Sequence, residues 1–275
     1  MSTQGQVSTR KITIRDLLEM KQRGERIAAL TAYDALFARI VDAAGVEIVL
    51  VGDSLAQVVL GLDSTLPLSL DEMIHHARAV CRGVQRALVV VDMPFLSYQV
   101  SPEEAVRNAG RVLKETGATA VKLEGGSPRI AETVTRLVET GIPVMGHLGF
   151  TPQSVHALGG NRVQGRDEAG RSRLIEDALR LEAAGVFGIV LELIPGSLAA
   201  EASRALRIPT IGIGAGADCD GQVLVLQDML GLNRDFQPKF LRRFGQLGDQ
   251  AEAAVRDYVR AVKDAEYPGP EHTFS

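Results

Sequence analysis

Residues 101–124, SPEEAVRNAGRVLKETGATAVKLE, contain the unit from which the fold can be inferred. Ser101 followed by Pro102 is typical of a helix start, because serine caps the first turn and proline fits its first position. Gly117 closes the helical pattern, as expected of a glycine at a helix C-terminus. An apolar run follows and ends in charged residues at Glu124. The stretch therefore predicts a helix, a glycine turn and a buried strand in succession.

The same unit recurs along the chain. Thr13 and Asp16 have the spacing of a capping box, as do the later Ser69 and Glu72. Helical patterns also close directly before apolar runs at three more glycines: Gly45, Gly141 and Gly185. The apolar runs predict seven strands, at residues 28–31, 47–51, 88–92, 120–124, 143–147, 188–192 and 209–212, and a weaker pattern at 223–226 indicates an eighth.

Alternating strands and helices predict a parallel sheet, and seven or eight such units favour a closed (βα)8 TIM barrel over a doubly wound sheet. The 275 residues, of which 45% are hydrophobic, are enough for one barrel domain. We expect a single domain over residues 1–275, with a loose segment at about 1–10 and a C-terminal outer helix and tail. The amphipathic stretch AEAAVRDYVRAVKD predicts that helix, which either covers the barrel or contacts another subunit.

Composition argues against several classes of function. Lysine and arginine total 30 against 34 acidic residues, a net charge of -4, and form no dense basic block, so no nucleic-acid partner is expected. Cys81 and Cys219 are far apart and lack CxxC spacing, which fits a reducing cytoplasm and predicts neither a disulfide framework nor a thiolate metal site. Signal-peptide and membrane-spanning patterns are absent, so no membrane partner is expected.

Four of the apolar runs end in charged side chains: Asp53, Asp92, Lys122 with Glu124, and Glu192. Parallel barrels gather their chemistry at the C-terminal ends of the strands, so we expect these side chains to converge. Lys122 and Glu124 are two residues apart and therefore share one face of their strand. Converging carboxylates repel one another unless a cation neutralises them, which favours a hard divalent metal.

Each of these residues also has a purely structural interpretation. An aspartate after an apolar run often caps the following helix, Glu192 could pair with an arginine, and Lys122 could extend from the barrel rim. His147 ends another run, in GHLG, and alone would more often be a fully hydrogen-bonded rim histidine. The glycine-rich residues 212–216, GIGAG, lack Rossmann spacing and either cradle an anion or form a tight turn.

Several longer motifs resemble one enzyme family along nearly the whole chain. In order they are TAYDALFARIVDAAGVEIVLVGDSL, GLDSTLPLSLDEM, VDMPF, VKLEGG, GHLGFTPQSV, VQGR, EAAGVFGIVLELIP and IGIGAGADCDGQVLVLQDMLG. They resemble the 3-methyl-2-oxobutanoate (ketopantoate) hydroxymethyltransferases, from about Lys11 to the YPGPEHTF tail. The resemblance implies a barrel of the phosphoenolpyruvate/pyruvate type and a homodecamer built from five dimers.

The resemblance also implies a reaction. A one-carbon unit passes from the co-substrate 5,10-methylenetetrahydrofolate to 3-methyl-2-oxobutanoate, giving 2-dehydropantoate on the route to pantothenate and coenzyme A. One Mg2+ per subunit is expected, because a metal on the ketone oxygen makes the neighbouring C–H acidic.

Matching the family motifs position by position implies a role for each site residue. The metal ligands are Asp53, Asp92 and Glu124, directly or through water. The general base is Glu192. The residues that contact the oxo acid are Asp53, Ser54, Asp92 and Lys122. His147 is expected to contact the new hydroxyl group or the folate.

Three alternatives stay open at this point. A metal-dependent oxo-acid lyase or mutase on the same barrel would share the acidic ligands, but such enzymes usually carry a cysteine in a flexible loop, and neither Cys81 nor Cys219 is obviously suited. A Schiff-base aldolase acting through Lys122 would be trapped by borohydride. A catalytically silent barrel would serve as an assembly module, although every family site position carries the expected residue.

Overall fold

The computed structural model describes residues 10–274 and contains a closed barrel of parallel strands in chain order. The strands are β1 (Ile27–Thr31), β2 (Ile48–Val51), β3 (Leu88–Asp92), β4 (Ala120–Glu124), β5 (Val144–Gly149), β6 (Gly188–Glu192), β7 (Thr210–Ile213) and β8 (Gly221–Leu224). The predicted (βα)8 TIM barrel is confirmed.

Helices precede the first strand, lie between most strands and follow the last one. They are α1 (Ile14–Arg23), α2 (Ala35–Ala43), α3 (Leu55–Val58), α4 (Leu70–Gly83), α5 (Pro102–Thr116), α6 (Pro128–Glu139), α7 (Glu168–Ala183), α8 (Gly196–Ala205), α9 (Leu226–Met229) and α10 (Leu247–Lys263), with 3-10 turns at Pro152–Ser154 and Pro270–His272. Thr13 and Ser69 form the predicted capping boxes of α1 and α4, and Ser101 caps α5. The local capping signals therefore gave the correct helix starts.

The eighth strand differs from its prediction. β8 begins at Gly221, two residues before the expected start, because a glycine adds no apolar side chain to the pattern. Gly221 pairs with Ile27 of β1, and a Cβ atom at this position would lie 2.4 Å from the Ile27 carbonyl oxygen. The closure of the barrel therefore needs a glycine at the point where the hydrophobic pattern is weakest.

The barrel interior carries both the core and the polar residues of the strand ends. Leu88 and Val90 of β3 and Ala120 of β4 belong to the central hydrophobic cluster. Side chains two residues apart on a strand share a face, so the next inward positions are Asp92 and Lys122. The charged side chains are therefore the last layer of the same inward-facing rows that form the core.

The opposite, N-terminal end of the barrel is closed by α1. Leu17 is only 1% exposed and belongs to the cluster inside the barrel, and Ile14 and Met20 pack against that cluster. The backbone N–H of Ile12 also donates to the Arg86 carbonyl, just before β3. The first helix therefore seals the end of the barrel away from the strand C-termini.

The chain divides into two compact units, of which the first ends at Val225 and the second begins at Leu226. The predicted amphipathic helix is confirmed as α10 in the second unit. None of its residues is buried, and its apolar stripe is 41–60% exposed: Val255, Tyr258, Val259 and Val262. Its role as an outer helix or a subunit contact stays a prediction, as does the single-domain organisation.

Two further expectations concern the start of the chain and membranes. The predicted loose segment covers residues 1–10, of which 1–9 lie outside the described residues. Between residues 10 and 274, no helix has both the length and the apolar character needed to cross a membrane. The GIGAG run begins within β7, whose last residue is Ile213, and Gly214 and Gly216 just after the strand adopt positive φ of 63° and 84°, as a tight turn requires.

Candidate active site

Asp92 and Lys122 form a buried ion pair at the C-terminal mouth of the barrel. They are register partners on β3 and β4, and Lys122 Nζ lies 2.9 Å from Asp92 Oδ1. Both are at most 5% exposed, so Lys122 does not extend from the rim. The other oxygen of Asp92, Oδ2, accepts the backbone N–H of Asp53 at 2.9 Å. Asp92 therefore organises the mouth of the barrel and does not cap a helix.

His147 links two of the predicted acids. It is the register partner of Glu124, and its Nδ1 lies 3.4 Å from Glu124 Oε1 and 3.2 Å from Lys122 Nζ. Its Nε2 lies 3.2 Å from Glu192 Oε2, and the ring is only 2% exposed. The partner of Glu192 is thus a histidine and not an arginine, and the predicted base sits beside a buried imidazole.

Asp53 is held by a residue that sequence reasoning did not select. Gln153 Nε2 donates to Asp53 Oδ2 at 3.1 Å, and the Gln153 backbone N–H donates to Glu124 Oε2 at 3.0 Å. The short helix α3 begins after Ser54 without a side-chain cap, so the capping interpretation of Asp53 is wrong. No spacing signal separates Gln153 from other polar residues, because only the fold brings it to the carboxylates.

Ser54 contacts a second residue that was not predicted. Its Oγ lies 2.8 Å from the hydroxyl of Tyr33, which is 1% exposed. His76 on α4 donates through Nδ1 to the Tyr33 carbonyl at 2.7 Å. Burial raises the pKa of Tyr33 far above its usual value, so its hydroxyl stays neutral. Ser54 is therefore positioned by a neutral hydroxyl at the edge of the acidic cluster.

The electrostatics of the mouth are unusual for a protein interior. Burial, together with the charges of Asp92 and Glu124, raises the pKa of Asp53 to about 7. Burial also raises the pKa of Asp92, although the Lys122 ammonium opposes this change. Such shifts mark groups whose charged forms are costly without a further cation.

The pKa values of the two cationic groups, Lys122 and His147, are also raised, which here favours the charged form. Burial alone would lower the pKa of Lys122, but the charges of Asp92 and Glu124 outweigh it and raise that pKa, so the ammonium stays protonated. Burial and the Lys122 charge also disfavour the imidazolium of His147, yet contacts with Glu124 and Glu192 raise its pKa to about 9.

Several buried polar atoms in the mouth lack a well-aligned hydrogen bond. They are Asp92 Oδ1, Glu124 Oε1 and His147 Nε2, each of which has only a close ionic neighbour. Among residues 10–274, no group of three or more His, Cys, Asp or Glu side chains has a geometry ready to hold a metal. Mg2+, however, keeps several waters and needs only one or two protein carboxylates. The excess of buried carboxylates over cations fits such an ion, as do the two carboxylate oxygens that lack a well-aligned hydrogen bond.

Comparisons with known proteins agree with the resemblance inferred from the motifs. A sequence model of the ketopantoate hydroxymethyltransferase family matches residues 11–270. The chain is 56% identical over 265 residues to the 3-methyl-2-oxobutanoate hydroxymethyltransferase of Heliobacterium modesticaldum, with 96% of each chain covered. It is 53% identical to the protein of the same name from Chlorobium luteolum, with both chains covered completely.

Solved structures resemble the fold at much lower sequence identity. A phosphonopyruvate hydrolase crystallised with oxalate and Mg2+ superposes with a TM-score of 0.62 at 11% identity, covering 95% of this chain and 93% of that one. A 2,3-dimethylmalate lyase of the PEP mutase/isocitrate lyase superfamily gives 0.58 at 17% identity, covering 95% and 91%. At these identities the matches show the shared (βα)8 barrel fold alone.

Proposed function

Because the chain belongs to the ketopantoate hydroxymethyltransferase family, we propose that it transfers a one-carbon unit from 5,10-methylenetetrahydrofolate to 3-methyl-2-oxobutanoate. The product is 2-dehydropantoate, on the route to pantothenate. The observation that carries the proposal is the contact of the buried His147 with the partly exposed Glu192, 3.2 Å apart, beside the carboxylates and ammonium of the barrel mouth. This arrangement suits removal of a proton next to a ketone.

Glu192 is the proposed general base. Its contact with His147 uses Oε2, so Oε1 is available to take the C3 hydrogen of the oxo acid. The side chain is 18% exposed, which lets a substrate reach it. The neighbouring imidazole fixes the carboxylate orientation, and a positioned base of this kind typically contributes 100-fold to 10,000-fold to rate.

Lys122, Asp92 and Ser54 are proposed to receive the oxo acid. The Lys122 ammonium lies at 2.9 Å from Asp92 and is kept charged by its acidic neighbours, so it offers a fixed positive charge to the substrate carboxylate or the developing enolate. Ser54, oriented by Tyr33, supplies a hydroxyl at the edge of the same pocket.

Asp53, Asp92 and Glu124 are the proposed ligands of one Mg2+ per subunit, in part through water. When bound there, Mg2+ draws electron density from the ketone oxygen and so acidifies the neighbouring C–H. Asp92 Oδ1 and Glu124 Oε1, which have ionic neighbours but no well-aligned hydrogen bond, support this assignment, as does the raised pKa of Asp53. A cation at this point would lower the cost of keeping the carboxylates ionised.

Solvent exchange of the substrate's C3 hydrogen tests the first half of the reaction. The protein is incubated with 3-methyl-2-oxobutanoate and Mg2+ in deuterated water without folate, and the C3 signal is followed by NMR with and without a chelator. We expect exchange that the chelator abolishes. Absence of exchange, with and without tetrahydrofolate added, would contradict the proposed role of the site.

The open alternatives have less support. The lyases and mutases match this chain at 13–17% identity, which shows the fold alone, whereas the hydroxymethyltransferases match at 51–56%. A Schiff base would need a neutral amine, and the raised pKa of Lys122 opposes it. Borohydride inactivation in the presence of the oxo acid would favour that mechanism. A barrel that only assembles would show no exchange under any condition.

A cytoplasmic location and a decamer of five dimers complete the proposal. Exposed apolar side chains one helical turn apart on α2 support a subunit contact, since Leu36 and Ile40 are 68% and 61% exposed. Light scattering coupled to gel filtration tests the assembly, and a monomeric mass would contradict it.

A further inference from the structure

Gln153 uses its complete hydrogen-bonding capacity at the barrel mouth. Its Nε2 donates to Asp53 Oδ2 at 3.1 Å and to the Met93 carbonyl at 2.9 Å. Its Oε1 accepts from the Tyr98 hydroxyl at 2.9 Å and from Gln99 Nε2 at 3.0 Å. An amide side chain has two donors and two acceptor sites, so all four are occupied. The side chain is 7% exposed and therefore fixed in a single orientation.

The same residue also reaches the second acid through its main chain. The backbone N–H of Gln153 donates to Glu124 Oε2 at 3.0 Å. Tyr98 strengthens this link, because its hydroxyl accepts the backbone N–H of Glu124 at 3.0 Å while donating to the Gln153 side chain. Contacts from the ends of β2, β3 and β4 therefore meet at one residue on the 3-10 turn Pro152–Ser154 after β5.

These contacts determine which oxygen of each carboxylate faces the site. Gln153 occupies Oδ2 of Asp53 and Oε2 of Glu124, so the oxygens left for a ligand are Oδ1 of Asp53 and Oε1 of Glu124, which lies 3.4 Å from His147 Nδ1. Glu124 Oε1 is buried without a well-aligned hydrogen bond. Hydrogen bonds that orient ligating carboxylates typically change metal affinity 10-fold to 100-fold.

We propose that Gln153 is a positioning residue that orients Asp53 and Glu124 for the metal, an inference that rests on the proposed function of these carboxylates as ligands. Gln153 does not touch the substrate in this assignment. Its loss should therefore weaken metal binding while leaving the chemistry intact once the metal is bound.

Direct binding of Mn2+, a probe with the same preference for oxygen ligands as Mg2+, measures this effect. Mn2+ is added stepwise to the purified protein and to Gln153→Met, and the free ion is measured by electron paramagnetic resonance. The methionine keeps the side-chain length without the amide. We expect the variant to bind Mn2+ at least 10-fold more weakly. The matched control is Gln85→Met, at an exposed glutamine before β3, and its affinity should equal that of the unaltered protein.

Recovery of activity at high Mg2+ distinguishes a positioning role of Gln153 from a purely structural one. At saturating Mg2+, C3 hydrogen exchange by Gln153→Met, measured per folded protein, should return to within about twofold of the unaltered protein. Exchange that stays low at saturating Mg2+, or Mn2+ affinity equal to that of the unaltered protein, would overturn the inference.

Tyr98→Phe decides the question if Gln153→Met does not fold. It keeps the ring and removes only the hydroxyl between Gln153 and Glu124, so we expect a weakening of Mn2+ binding of about threefold with a normal melting temperature. Unaltered affinity in that variant would overturn the inference. If the unaltered protein itself binds no Mn2+, the proposed metal site fails, whereas a failure of Gln153 alone leaves that site and the exchange reaction in place.

Discussion

The two ends of the barrel bury charged side chains in different ways. At the N-terminal end, Asp42 accepts hydrogen bonds from the backbone N–H groups of Gln85, Arg86 and Ala87 at 2.7–3.2 Å. The Arg86 side chain donates in turn to the carbonyls of Gly45 and Val46, and only its Nε lacks a partner. Asp42 and Arg86 therefore stabilise the loops that lead into β2 and β3.

At the C-terminal mouth, charged groups face mainly one another. Asp92, Glu124 and His147 each retain a buried atom without a well-aligned hydrogen bond, and the pKa of Asp53 rises to about 7 through burial and its acidic neighbours. Burying such groups costs free energy, which structures accept mainly where a ligand will bind. Burial of a charged side chain therefore does not by itself distinguish a structural role from a functional one, whereas the groups that it contacts do.

A matched pair of glutamate substitutions, one at each end of the barrel, should give the largest difference in the rate of C3 hydrogen exchange. Glu192→Gln at the mouth should slow C3 hydrogen exchange about 1,000-fold, because the amide cannot take the proton. Glu47→Gln, at a glutamate of similar exposure that accepts the Ala28 backbone N–H at 2.9 Å, should leave exchange unchanged. NMR exchange rates per folded protein give the comparison. Normal exchange by Glu192→Gln would require another base.

Removing the apolar seal of the N-terminal end should mainly affect stability. Leu17→Ala deletes a side chain that is 1% exposed within the barrel cluster, so we expect a loss of about 3 kcal/mol in the free energy of unfolding. The control is Leu179→Ala, since Leu179 is 43% exposed on α7 and should cost little. Urea unfolding measures both, and equal losses would show that α1 does not close the barrel as described.

Two aspartate substitutions, one at each end of the barrel, test whether the buried charge there serves stability or metal binding. Asp42→Asn weakens bonds from three backbone N–H groups and should lower the free energy of unfolding by about 2 kcal/mol, with normal exchange activity. Asp92→Asn should instead raise the Mg2+ concentration needed for half-maximal exchange. Unfolding curves and Mg2+ titrations of both variants test this, and a normal Mg2+ requirement for Asp92→Asn would remove it from the ligand set.

The sequence predicted the polar rows on the strands better than the contacts made by loops. β4 has the predicted bounds, and the two-residue spacing of Lys122 and Glu124 correctly placed both on the inward face, since a strand has a fixed period. β8 was predicted two residues late because its first residue, Gly221, has no side chain to enter a hydrophobic pattern.

Gln153 and Tyr98 show why part of the site could not be predicted from the residues alone. Gln153 lies in a short 3-10 turn and Tyr98 in an irregular segment, and in such segments neither spacing nor polarity distinguishes a positioning residue from a surface one. Their role depends on contacts across 26 to 100 positions of sequence, from Tyr98 to Glu124 and from Gln153 to Asp53. Such contacts are set by closure of the barrel and have no local signature.

The smallest expected effect concerns the capping box of α1, at the sealed end. Asp16 accepts hydrogen bonds from the Thr13 hydroxyl and backbone N–H at 2.6 and 2.8 Å and pairs with Arg10, and these contacts lower its pKa from 3.8 to about 2. A lowered folded-state pKa means that the stabilisation is present above the unfolded value and is lost as the pH falls toward 2.

Asp16→Asn should therefore lower the free energy of unfolding by about 1 kcal/mol at neutral pH, less than the full linkage value because solvent screens the pair. The difference from the unaltered protein should stay constant above about pH 5 and shrink between about pH 4 and pH 2, whereas C3 hydrogen exchange at neutral pH should not change. Urea midpoints across this range measure it. A difference that is undiminished at about pH 2.5, or one that appears only near pH 7, would mean that the stabilisation comes from a group other than Asp16.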